Sequence, residues 1–553
     1  MNSYRLSPYV QIIENHIFPN VVQYGIFHRF TGEVIEPLPN VRSLLFAMRL
    51  GTPVSFGDDH LERMGRDGEQ LKLLVSKEFL VTEGQDLFAT FMDKYVVRPR
   101  QNPAVSYRFE TGQRMLVRIS MAQRIFSPGP DELPKVVEEP MPTPAAALYL
   151  AADGTKTLRE ILDGEDLREI TEAIDFLTRA HRQLIKFTNN REDIADPFRP
   201  CNIVPRNMYR SARSASSSDV IDFHKGKIDD AAQEFDFVEP TVNHAFRFPS
   251  EALGGLNYGG RFCISTLCPD VLPLLGKVEK LEVLEVGGGT GSFSASFIEQ
   301  ARKSSLSINY QIVDLSPALI ESQQQQLSTI GALVQHFSQD ATKLNIPGRR
   351  FDLIICNEVI ADFPVASVTR SGNEWQGAGA AYLEKYKLNE EGSPDFFLIN
   401  AGAIDFLEQA WEHLLPGGAL IVSEYGDDKS YPMQAYHLNH EEFSIHFGHL
   451  QRCAEQIGFN CRLLTLKDFL NVDDEISMLD GQEEQIMCLN HVLAKHGETL
   501  PYALHSEREF KNKFSELMKQ LELKGVTFSP LSNGFHFGPR LSHFMVLVMT
   551  RPH

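Results

Sequence analysis

The chain has 553 residues, a net charge of −20 at pH 7 and 42% hydrophobic residues. This length predicts three or four domains, and this hydrophobic content is sufficient for several cores. The acidic net charge argues against nucleic-acid binding as the main function. The sequence contains no run of 18 apolar residues, so no transmembrane helix is predicted. The first residues, MNSYRLSPYVQIIENH, contain no apolar signal core, so no secretory or transit signal is expected.

Seven cysteines are scattered along the chain, and none forms a C-x-x-C pair. An odd number of dispersed cysteines favours reduced thiols over a disulfide framework. A cytoplasmic protein without a membrane segment is therefore predicted.

The first 190 residues predict two copies of a small α+β unit, over 1–95 and 96–190. RSLLFAMRLGTPVSF and AALYLAADGTKTLRE each give a short apolar helix, a Gly-Thr turn and a second helix with apolar residues at helical spacing. Both units are predicted to be winged-helix-like and are similar to the small peptide-recognition domains of ribosomal-peptide pathways. A structural or dimerising role, peptide binding and DNA binding stay open, although the mixed charge of the candidate recognition helices disfavours binding along a phosphate backbone.

Residues 191–270 are predicted to form a linker followed by a lid. The linker contains the small, polar stretch RSARSASSSDV, whereas 243–262 is rich in glycine and aromatic residues. A segment just before a ligand-binding sheet can close over the ligand, which makes Tyr258 and Arg261 candidate substrate contacts. A turn-rich connection packed on the domain is the alternative.

Residues 281–291, LEVLEVGGGTG, predict a buried strand, a tight turn and the start of a helix. After Glu285, glycines occupy every second position at Gly287, Gly289 and Gly291. Glycine is needed where a side chain would block the approach of a ligand to the backbone. This turn alone is typical of several nucleotide-binding sheets.

The next two predicted strands each end in an acid. INYQIVD ends in Asp314, where a carboxylate can accept hydrogen bonds from a ribose. SQDATKL then places Asp340 where the adenine amino group of S-adenosylmethionine would lie. Because the turn reads G-x-G-x-G rather than G-x-G-x-x-G, S-adenosylmethionine is favoured over a nicotinamide dinucleotide.

The fourth predicted strand, FDLIICNEVIADFP, places Asn357, Glu358 and Asp362 at the carboxyl edge of the sheet. Ligands bind at this edge in open α/β sheets. The sequence therefore predicts a doubly wound α/β sheet over 271–553, preceded by the two small α+β units.

From about 280 to 470 the chain resembles the MidA-like class I methyltransferases, which include a mitochondrial complex I assembly factor. The resemblance lies in EVGGGTGSFS, IVDLSPALIESQQQQL, NEVIADFPV, ALIVSEYG and HEEFSIHFGHLQRCAEQIGF. The second piece is similar to the family's acid-x-Ser-Pro-x-Leu pattern, with a Gln and a Leu further on. The family's Asn-Glu-x-x-Asp-Ala-x-Pro is altered here, since Ala361 precedes Asp362 and the acid is displaced by one residue.

The resemblance implies an S-adenosylmethionine-dependent methyltransferase of class I. The cofactor-binding candidates are Glu285, Gly287, Gly289, Gly291, Asp314, Leu315, Asp340, Ala341 and Asn357. Glu285 and the catalytic candidate Glu358 are the acids expected nearest the sulfonium and the amino-acid part of the cofactor. The catalytic candidates are Glu358, Asp362, Glu424 and His446, the first three being acids at strand ends that could hold a guanidinium.

Two insertions are predicted in this domain, over 366–408 and 471–535. Long structured insertions are usually functional covers or contact surfaces, so Trp375 and Tyr382 are candidate substrate contacts.

The segment HLNHEEFSIHFGH contains His437, His440, His446 and His449. If it is helical, its histidines point in different directions and cannot all meet one ion, so no metal site is predicted. A substrate-facing or supporting role is favoured for His446.

The predicted function is methyl transfer to a peptide or protein acceptor, with arginine as one possibility. Two alternatives stay open. One is a small-molecule N- or O-methyltransferase whose front domains form a homodimer. The other is a non-catalytic assembly factor that binds S-adenosylmethionine. Neither nucleic acid nor membrane is an expected partner.

Overall fold

In a computed structural model, the chain divides into two compact units. The first comprises Met1–Arg213, Asp480–Leu500 and Lys511–Thr527, and the second comprises Ser214–Leu479, Pro501–Phe510 and Phe528–His553. The structure describes residues 2–18, 21–31, 33–49, 53–82, 92–93, 95–99, 105–110, 113–119, 136–152, 154–162, 166–178, 184–188, 241–272, 279–372, 374–388, 393–437, 440–481, 483–521, 523, 526–533, 536–538 and 540–553. The predicted linker over 191–240 lies outside these residues.

The N-terminal part of the first unit alternates short strands with short helices. Its strands are β1 (Asn2–Leu6), β2 (Val10–Phe18), β3 (Val21–His28), β4 (Val34–Ile35), β5 (Val54–Phe56), β6 (Leu80–Thr82), β7 (Val96–Pro99), β8 (Val105–Glu110), β9 (Gln113–Ile119), β10 (Val136–Pro140) and β11 (Ile185–Thr188). Its helices are α1 (Pro39–Arg49), α2 (Asp58–Arg63), α3 (Arg66–Ser76), α4 (Thr143–Ala151), α5 (Leu158–Ile161) and α6 (Leu167–Thr178).

One order of elements occurs twice in this part. A strand (β1 or β7) is followed by an antiparallel three-stranded sheet, a helix, two further helices and a closing strand. In the first copy β1 pairs with β5 and β6, whereas in the second β7 pairs with β11 and Val96 bridges to Thr157. The winged-helix assignment of each copy stays a prediction.

Each copy has a core of its own. Leu45, Leu71 and Phe79 belong to the first core, and Leu148 and Ile174 belong to the second. The copies are also joined, because Phe30 of the first copy packs in the second core. The Arg29 guanidinium reaches the Asp175 carboxylate at 2.6 Å.

The second unit is built on one large sheet. Its strands, with those of its excursions, are β12 (Leu281–Val286), β13 (Ile308–Asp314), β14 (Gln335–Ser338), β15 (Phe351–Asn357), β16 (Ala366–Ser371), β17 (Glu374–Gln376), β18 (Phe396–Ile399), β19 (Leu414–Asp427), β20 (Gln434–His437), β21 (His440–Phe443), β22 (Ile445–His446), β23 (Asn460–Thr465), β24 (Ser477–Leu479), β25 (Phe528–Pro530) and β26 (Phe544–Thr550).

Helices α7 (Val242–Ala245) and α8 (Tyr258–Thr266) precede this sheet. The remaining helices are α9 (Ser292–Lys303), α10 (Pro317–Thr329), α11 (Ala380–Tyr386), α12 (Ala401–His413), α13 (Phe447–Ile457), α14 (Leu466–Leu470), α15 (Glu483–Leu493) and α16 (Glu507–Gln520). Short 3-10 helices lie at Glu251–Leu253, Ala341–Lys343, Ile360–Asp362, Ala494–His496, Leu531–Asn533 and Leu541–His543. No helix in the described part of the chain is both long and apolar enough to span a membrane.

The large sheet has the strand order β14-β13-β12-β15-β19-β26-β23. The first five strands are parallel, and β26 runs antiparallel between β19 and β23. Dinucleotide-binding sheets of order 3-2-1-4-5-6 have no strand between the fifth and the sixth. The sheet therefore departs from that order at β26, while the doubly wound α/β class is as predicted.

The predicted insertions form elements of their own. Within 366–408, β16, β17 and β18 form an antiparallel sheet, and α11 follows β17. Within 471–535, the pieces 480–500 and 511–527 cluster with the first unit. There, Lys495 and His491 contact the Glu138 carboxylate at 2.5 and 3.1 Å.

Helix α8 lies directly on α9 and so fixes the segment before β12 against the sheet. Their close approach depends on Gly259, because a Cβ there would lie 2.6 Å from the Phe293 carbonyl oxygen. Asn257 caps α8 and also donates its Nδ2 to Ser296 Oγ of α9 at 2.7 Å. This contact holds Tyr258, at the start of α8, beneath the carboxyl edge.

We expect Gly259→Ala to lower the free energy of unfolding by about 1–3 kcal/mol, because its methyl group must displace backbone rather than a flexible side chain. Ile264→Ala, at an exposed position of the same helix, is the control and is expected to cost less than ~1 kcal/mol. Urea unfolding followed by circular dichroism measures both. Equal midpoints for the Gly259 variant and the wild type would contradict the packing described.

Candidate functional site

The parallel register brings the ends of five strands to one edge of the sheet. Val286 pairs with both Val313 and Cys356, so the turns after β12, β13 and β15 begin at the same level. Asp314 pairs with Ser338, and Asn357 pairs with Ser423. The candidates predicted after the five strands therefore lie along one carboxyl edge, where α/β sheets bind ligands.

The glycine turn leaves backbone open at this edge. Gly289 has φ +50°, and a Cβ at this position would meet nothing within 4 Å. Gly291 is the N-cap residue of the twelve-residue α9 and offers no side-chain cap. Free backbone N–H groups at a helix start favour a polar or anionic ligand group.

Asp314 is held rigidly at the end of β13. It is 6% exposed, and its Oδ1 accepts the Ser316 N–H at 2.9 Å. Its Oδ2 accepts Gln323 Nε2 at 2.7 Å. These two bonds fix the orientation of the carboxylate at the strand end.

The third strand end supplies Asp340, with Ala341 and Leu315 beside the same edge. Asp340 Oδ1 accepts both the Thr342 N–H and the Thr342 hydroxyl, at 2.8 and 2.7 Å. These bonds fix the carboxylate at the start of a 3-10 helix. Leu315 and Ala341 are both half-buried, which suits the flanks of a flat ring.

Glu285 is placed beneath the edge rather than along it. It is 2% exposed, and its Oε2 accepts the Ser294 and Tyr310 hydroxyls at 2.5 and 3.1 Å. Burial raises the pKa of this carboxyl to about 8, although the two hydroxyl donors oppose the shift. Glu285 therefore ties β12 to α9 and β13, and the expectation that it lies near the sulfonium finds no support in these contacts.

Asn357, at the end of β15, is the centre of a hydrogen-bond network. Its Oδ1 accepts the hydroxyls of Tyr258 and Ser423 at 2.7 and 2.5 Å. Two donors on one oxygen orient the amide, so Nδ2 faces Glu358 Oε1 at 3.3 Å. Burial raises the pKa of Tyr258 well above its usual value, which keeps the phenol a donor.

Glu358 has a left-handed backbone, with φ +54°. This conformation is uncommon for a residue other than glycine, and such strain concentrates at functional sites. Its Oε2 accepts the Val242 N–H of α7 at 3.0 Å. Burial raises the pKa of its carboxyl to about 7, and the donors Val242 and Asn357 act in the opposite direction.

Glu424 and Asp362 complete an acidic group with Glu358. Glu424 is 4% exposed, and its oxygens accept the N–H groups of Tyr425 and Ala361 at 2.9 and 3.3 Å. Burial, with the charges of Glu358 and Asp362, raises the pKa of Glu424 to about 8. Asp362, despite its displaced position in the sequence, thus lies close enough to Glu424 to influence its protonation.

His446 lies in a different environment. His440–Phe443 and Ile445–His446 form the strands β21 and β22, and the helix begins only at Phe447, so the helical arrangement considered for the histidine segment does not apply before Phe447. The His446 ring stacks on His449 with centroids 3.7 Å apart, and its Nδ1 accepts the His449 N–H. His446 thereby caps α13, and both rings are buried.

The four predicted substrate contacts have internal partners. Tyr258 is fully buried, and Arg261 Nε donates to the Leu470 carbonyl at 2.5 Å. The Tyr382 hydroxyl donates to the Asp405 carboxylate at 3.0 Å. Trp375 packs edge-on against Phe397 and stacks under the Arg370 guanidinium. In this conformation the segment before β12 is a packed connection, which was the alternative to a lid.

Three participants in this site were not predicted. Ser423 is a polar residue inside the apolar strand sequence ALIVSEYG, and its pairing with Asn357 is the signal that could have identified it. Gln323 belongs to the Gln-rich stretch after β13 and joins Asp314 to the glycine turn. Val242 acts through its backbone, which leaves no mark in the sequence.

Comparison with known proteins concerns mainly the second unit. Residues 263–391 match the family described as "Putative S-adenosyl-L-methionine-dependent methyltransferase". The second unit is a class I S-adenosylmethionine-dependent methyltransferase domain. Its cofactor is S-adenosylmethionine, and the match supports the predicted methyltransferase of the MidA-like kind.

A curated relative is the release factor glutamine methyltransferase of Koribacter versatilis (strain Ellin345), 27% identical over 153 residues. The match covers 28% of this chain and 49% of that enzyme, so the chain spans about half the length of this relative.

Two solved structures are also similar. A protein from Burkholderia thailandensis bound to S-adenosyl-homocysteine is 15% identical, with 54% of this chain and 78% of that chain covered and a TM-score of 0.32. A methyltransferase from Clostridium acetobutylicum ATCC 824 is 15% identical, with 37% and 81% covered and a TM-score of 0.24.

The residues at the edge fit this cofactor. The open backbone at Gly289 suits the amino-acid part, the fixed Asp314 carboxylate suits the ribose, and Asp340 suits the adenine amino group. Asn357 and Glu358 lie at the neighbouring strand end, since β15 pairs with β12.

We expect Asp314→Ala to weaken binding of S-adenosylmethionine and S-adenosylhomocysteine by at least ~10-fold, because the ribose loses its charged acceptor. Titration calorimetry measures both ligands. Glu321→Ala, at an exposed position of α10, is the control and should bind normally. Unchanged affinity in the Asp314 variant would remove this residue from the cofactor site.

Three acids with raised pKa values make stability depend on pH. Glu285, Glu358 and Glu424 have pKa values raised from 4.5 to about 8, 7 and 8, so the folded state retains protons that the unfolded chain releases above pH 4.5. Their contribution to stability is complete below pH 4.5 and is lost as pH rises through 7 to 8. We therefore expect the thermal midpoint of unfolding to fall between pH 5 and pH 8, because the stabilising contribution of these groups is lost over that range.

Glu285→Gln tests this expectation, because the neutral amide mimics the protonated acid in accepting the two hydroxyls. Its thermal midpoint should fall less between pH 5 and 8 than that of the wild type. Glu321→Gln should leave the pH dependence as it is. Parallel curves for the Glu285 variant and the wild type would show that Glu285 titrates normally in the fold.

Proposed function

We propose that this protein transfers a methyl group from S-adenosylmethionine to a side-chain nitrogen of a protein or peptide, with arginine as the leading acceptor. The observation that carries the proposal is that Glu358, Asp362 and Glu424 come together at the carboxyl edge. The Glu358 N–H donates to the Ser423 carbonyl at 2.9 Å, and Glu424 Oε2 accepts the N–H of Ala361, next to Asp362, at 3.3 Å. When bound, the cofactor supplies a methyl group on a positively charged sulfonium.

The acidic group suits a cationic, planar acceptor. A guanidinium keeps its charge near neutral pH and needs carboxylates to hold and polarise it. Glu358 and Glu424 have pKa values of about 7 and 8 in the absence of an acceptor, and a nearby cation favours their ionised form. Acceptor binding would thus be coupled to the release of protons from the site.

Fixed geometry supports the same proposal. Glu358 is held on one side by the Val242 N–H and faces the Asn357 amide on the other. The network from Tyr258 and Ser423 prevents the amide from turning. A carboxylate that is already oriented loses little entropy when it binds the acceptor, which favours in-line displacement.

Glutamine is a second candidate acceptor because the curated relative methylates glutamine of release factors, as its name states. A neutral amide would accept a hydrogen bond from a protonated Glu358 or donate one to the ionised form. The small-molecule alternative and the non-catalytic alternative remain proposals of lower rank, because neither explains the acidic group.

The test is a panel of matched peptides that carry arginine, glutamine, lysine or alanine at one position, incubated with labelled S-adenosylmethionine. Transfer to the arginine peptide supports the proposal, and transfer to the glutamine peptide supports the second candidate. Tight cofactor binding with no transfer to any peptide, protein extract or small amine would favour the non-catalytic alternative.

We expect Glu358→Gln to lower kcat on the active peptide by at least ~100-fold, because the amide retains the bond to Val242 but loses the charge. The dissociation constant of S-adenosylmethionine should change by less than ~3-fold. Glu321→Gln, which changes an exposed acid on α10, should retain full activity. Equal losses of activity and cofactor affinity would place Glu358 at the cofactor rather than at the acceptor.

A further inference from the structure

Gln323 joins the two main parts of the cofactor site. It lies on α10 and is fully buried. Its Nε2 lies 2.9 Å from the Gly289 carbonyl oxygen and 2.7 Å from Asp314 Oδ2. A single amide nitrogen therefore bridges the glycine turn after β12 and the acid after β13.

The orientation of this amide follows from its partners. A carbonyl oxygen and a carboxylate can only accept hydrogen bonds, so a flipped Gln323 would present its Oε1 to two acceptors. In the orientation present, Nε2 uses both of its protons, and Oε1 is buried with no hydrogen-bond partner among the residues that the structure describes. An unsatisfied buried acceptor costs roughly 1–3 kcal/mol, so the fold retains this amide at a cost to stability.

The turn sequence is matched to Gln323. Gly288 is not one of the alternating glycines, yet a Cβ there would lie 2.9 Å from Gln323 Nε2 and 3.0 Å from its Cδ. A Cβ at Gly291 would lie 2.9 Å from the Gln323 Cα. Gly288 and Gly291 therefore allow Gln323 to pack closely against the turn, whereas the backbone at Gly289 stays open.

We propose that Gln323 is a positioning residue for the cofactor: it locks the Asp314 carboxylate to the glycine turn at the separation that S-adenosylmethionine requires. Asp314 is then held by two donors, Ser316 N–H on Oδ1 and Gln323 on Oδ2. The proposal rests on Asp314 as the ribose acid and is independent of which acceptor is methylated.

The first test is Gln323→Met, which keeps the length of the side chain and removes both donors. Binding of S-adenosylmethionine and S-adenosylhomocysteine, measured by calorimetry, should weaken about 10-fold. The matched control is Gln325→Met, the same change at an exposed position of the same helix, and it should bind as the wild type does. Unchanged affinity in a folded Gln323 variant would overturn the proposal.

A second measurement separates positioning from a general loss of structure. The hydroxyls on the ribose are the groups that Asp314 would hold, so an S-adenosylhomocysteine analogue lacking them should bind the Gln323 variant and the wild type alike. In an Asp314→Asn background, Gln323→Met should add little further loss. Equal losses for both ligands, or full additivity with the Asp314 change, would show a merely structural role.

Gly288→Ala gives a route that does not depend on the stability of the Gln323 variant, because its methyl group crowds the Gln323 amide, and also Ile312 Cγ2 at 2.9 Å, while Gln323 remains. It should show the same selective loss for the ligand that carries the ribose hydroxyls. Normal affinity in Gly288→Ala would overturn the proposal. Normal cofactor binding by Asp314→Ala would show that Asp314 is not the ribose acid. Normal binding by the Gln323 and Gly288 variants, with weakened binding by Asp314→Ala, would overturn only the role proposed for Gln323.

Discussion

The parallel pairing of β12 with its two neighbours is the constraint on which the site depends. In a parallel sheet every strand ends at the same edge, so five separate turns arrive together although almost 140 residues separate the first from the last. The pairing of Val286 with Val313 and with Cys356 fixes the level of the turns to within a residue. A slip of one residue in β15 would point Asn357 to the opposite face and separate it from Ser423 and Tyr258.

The acids at the carboxyl edge of the sheet fall into two kinds, which differ in how strongly burial affects their protonation. Asp314 and Asp340 are satisfied by nearby N–H groups and are ready as acceptors. Glu285, Glu358 and Glu424 instead lie where burial favours their neutral forms. The proposed cofactor contacts rest on the first pair, and the proposed acceptor contacts rest on Glu358 and Glu424. Glu285 differs from these two because its Oε2 already accepts the Ser294 and Tyr310 hydroxyls.

Local patterns in the sequence predicted the sheet and the edge well. The apolar runs that end in Asp314 and Asn357, and the glycines after Glu285, identify strands and turns because strand periodicity and glycine conformation are local properties. The network around Asn357 could not be predicted, since Tyr258 and Ser423 reach it from 99 and 66 residues away. Tyr258 was expected in a lid because aromatic and glycine content does not reveal which side chains are buried. The left-handed backbone of Glu358 is likewise set by its tertiary surroundings, since glutamate has no local preference for it.

The first unit is discontinuous in the chain, and this affects how it is made. Its repeated elements end at β11, but Asp480–Leu500 and Lys511–Thr527 also belong to it. A ribosome adds about 5–20 residues per second, so the roughly 300 residues between these parts take about 15–60 s to synthesise. During that interval the nascent repeats lack their final helices, while the large sheet, whose last strand β26 ends at Thr550, is also incomplete. Neither unit can therefore complete its fold before the segments after Leu479 have been synthesised, so apolar surface of both units stays uncovered until then.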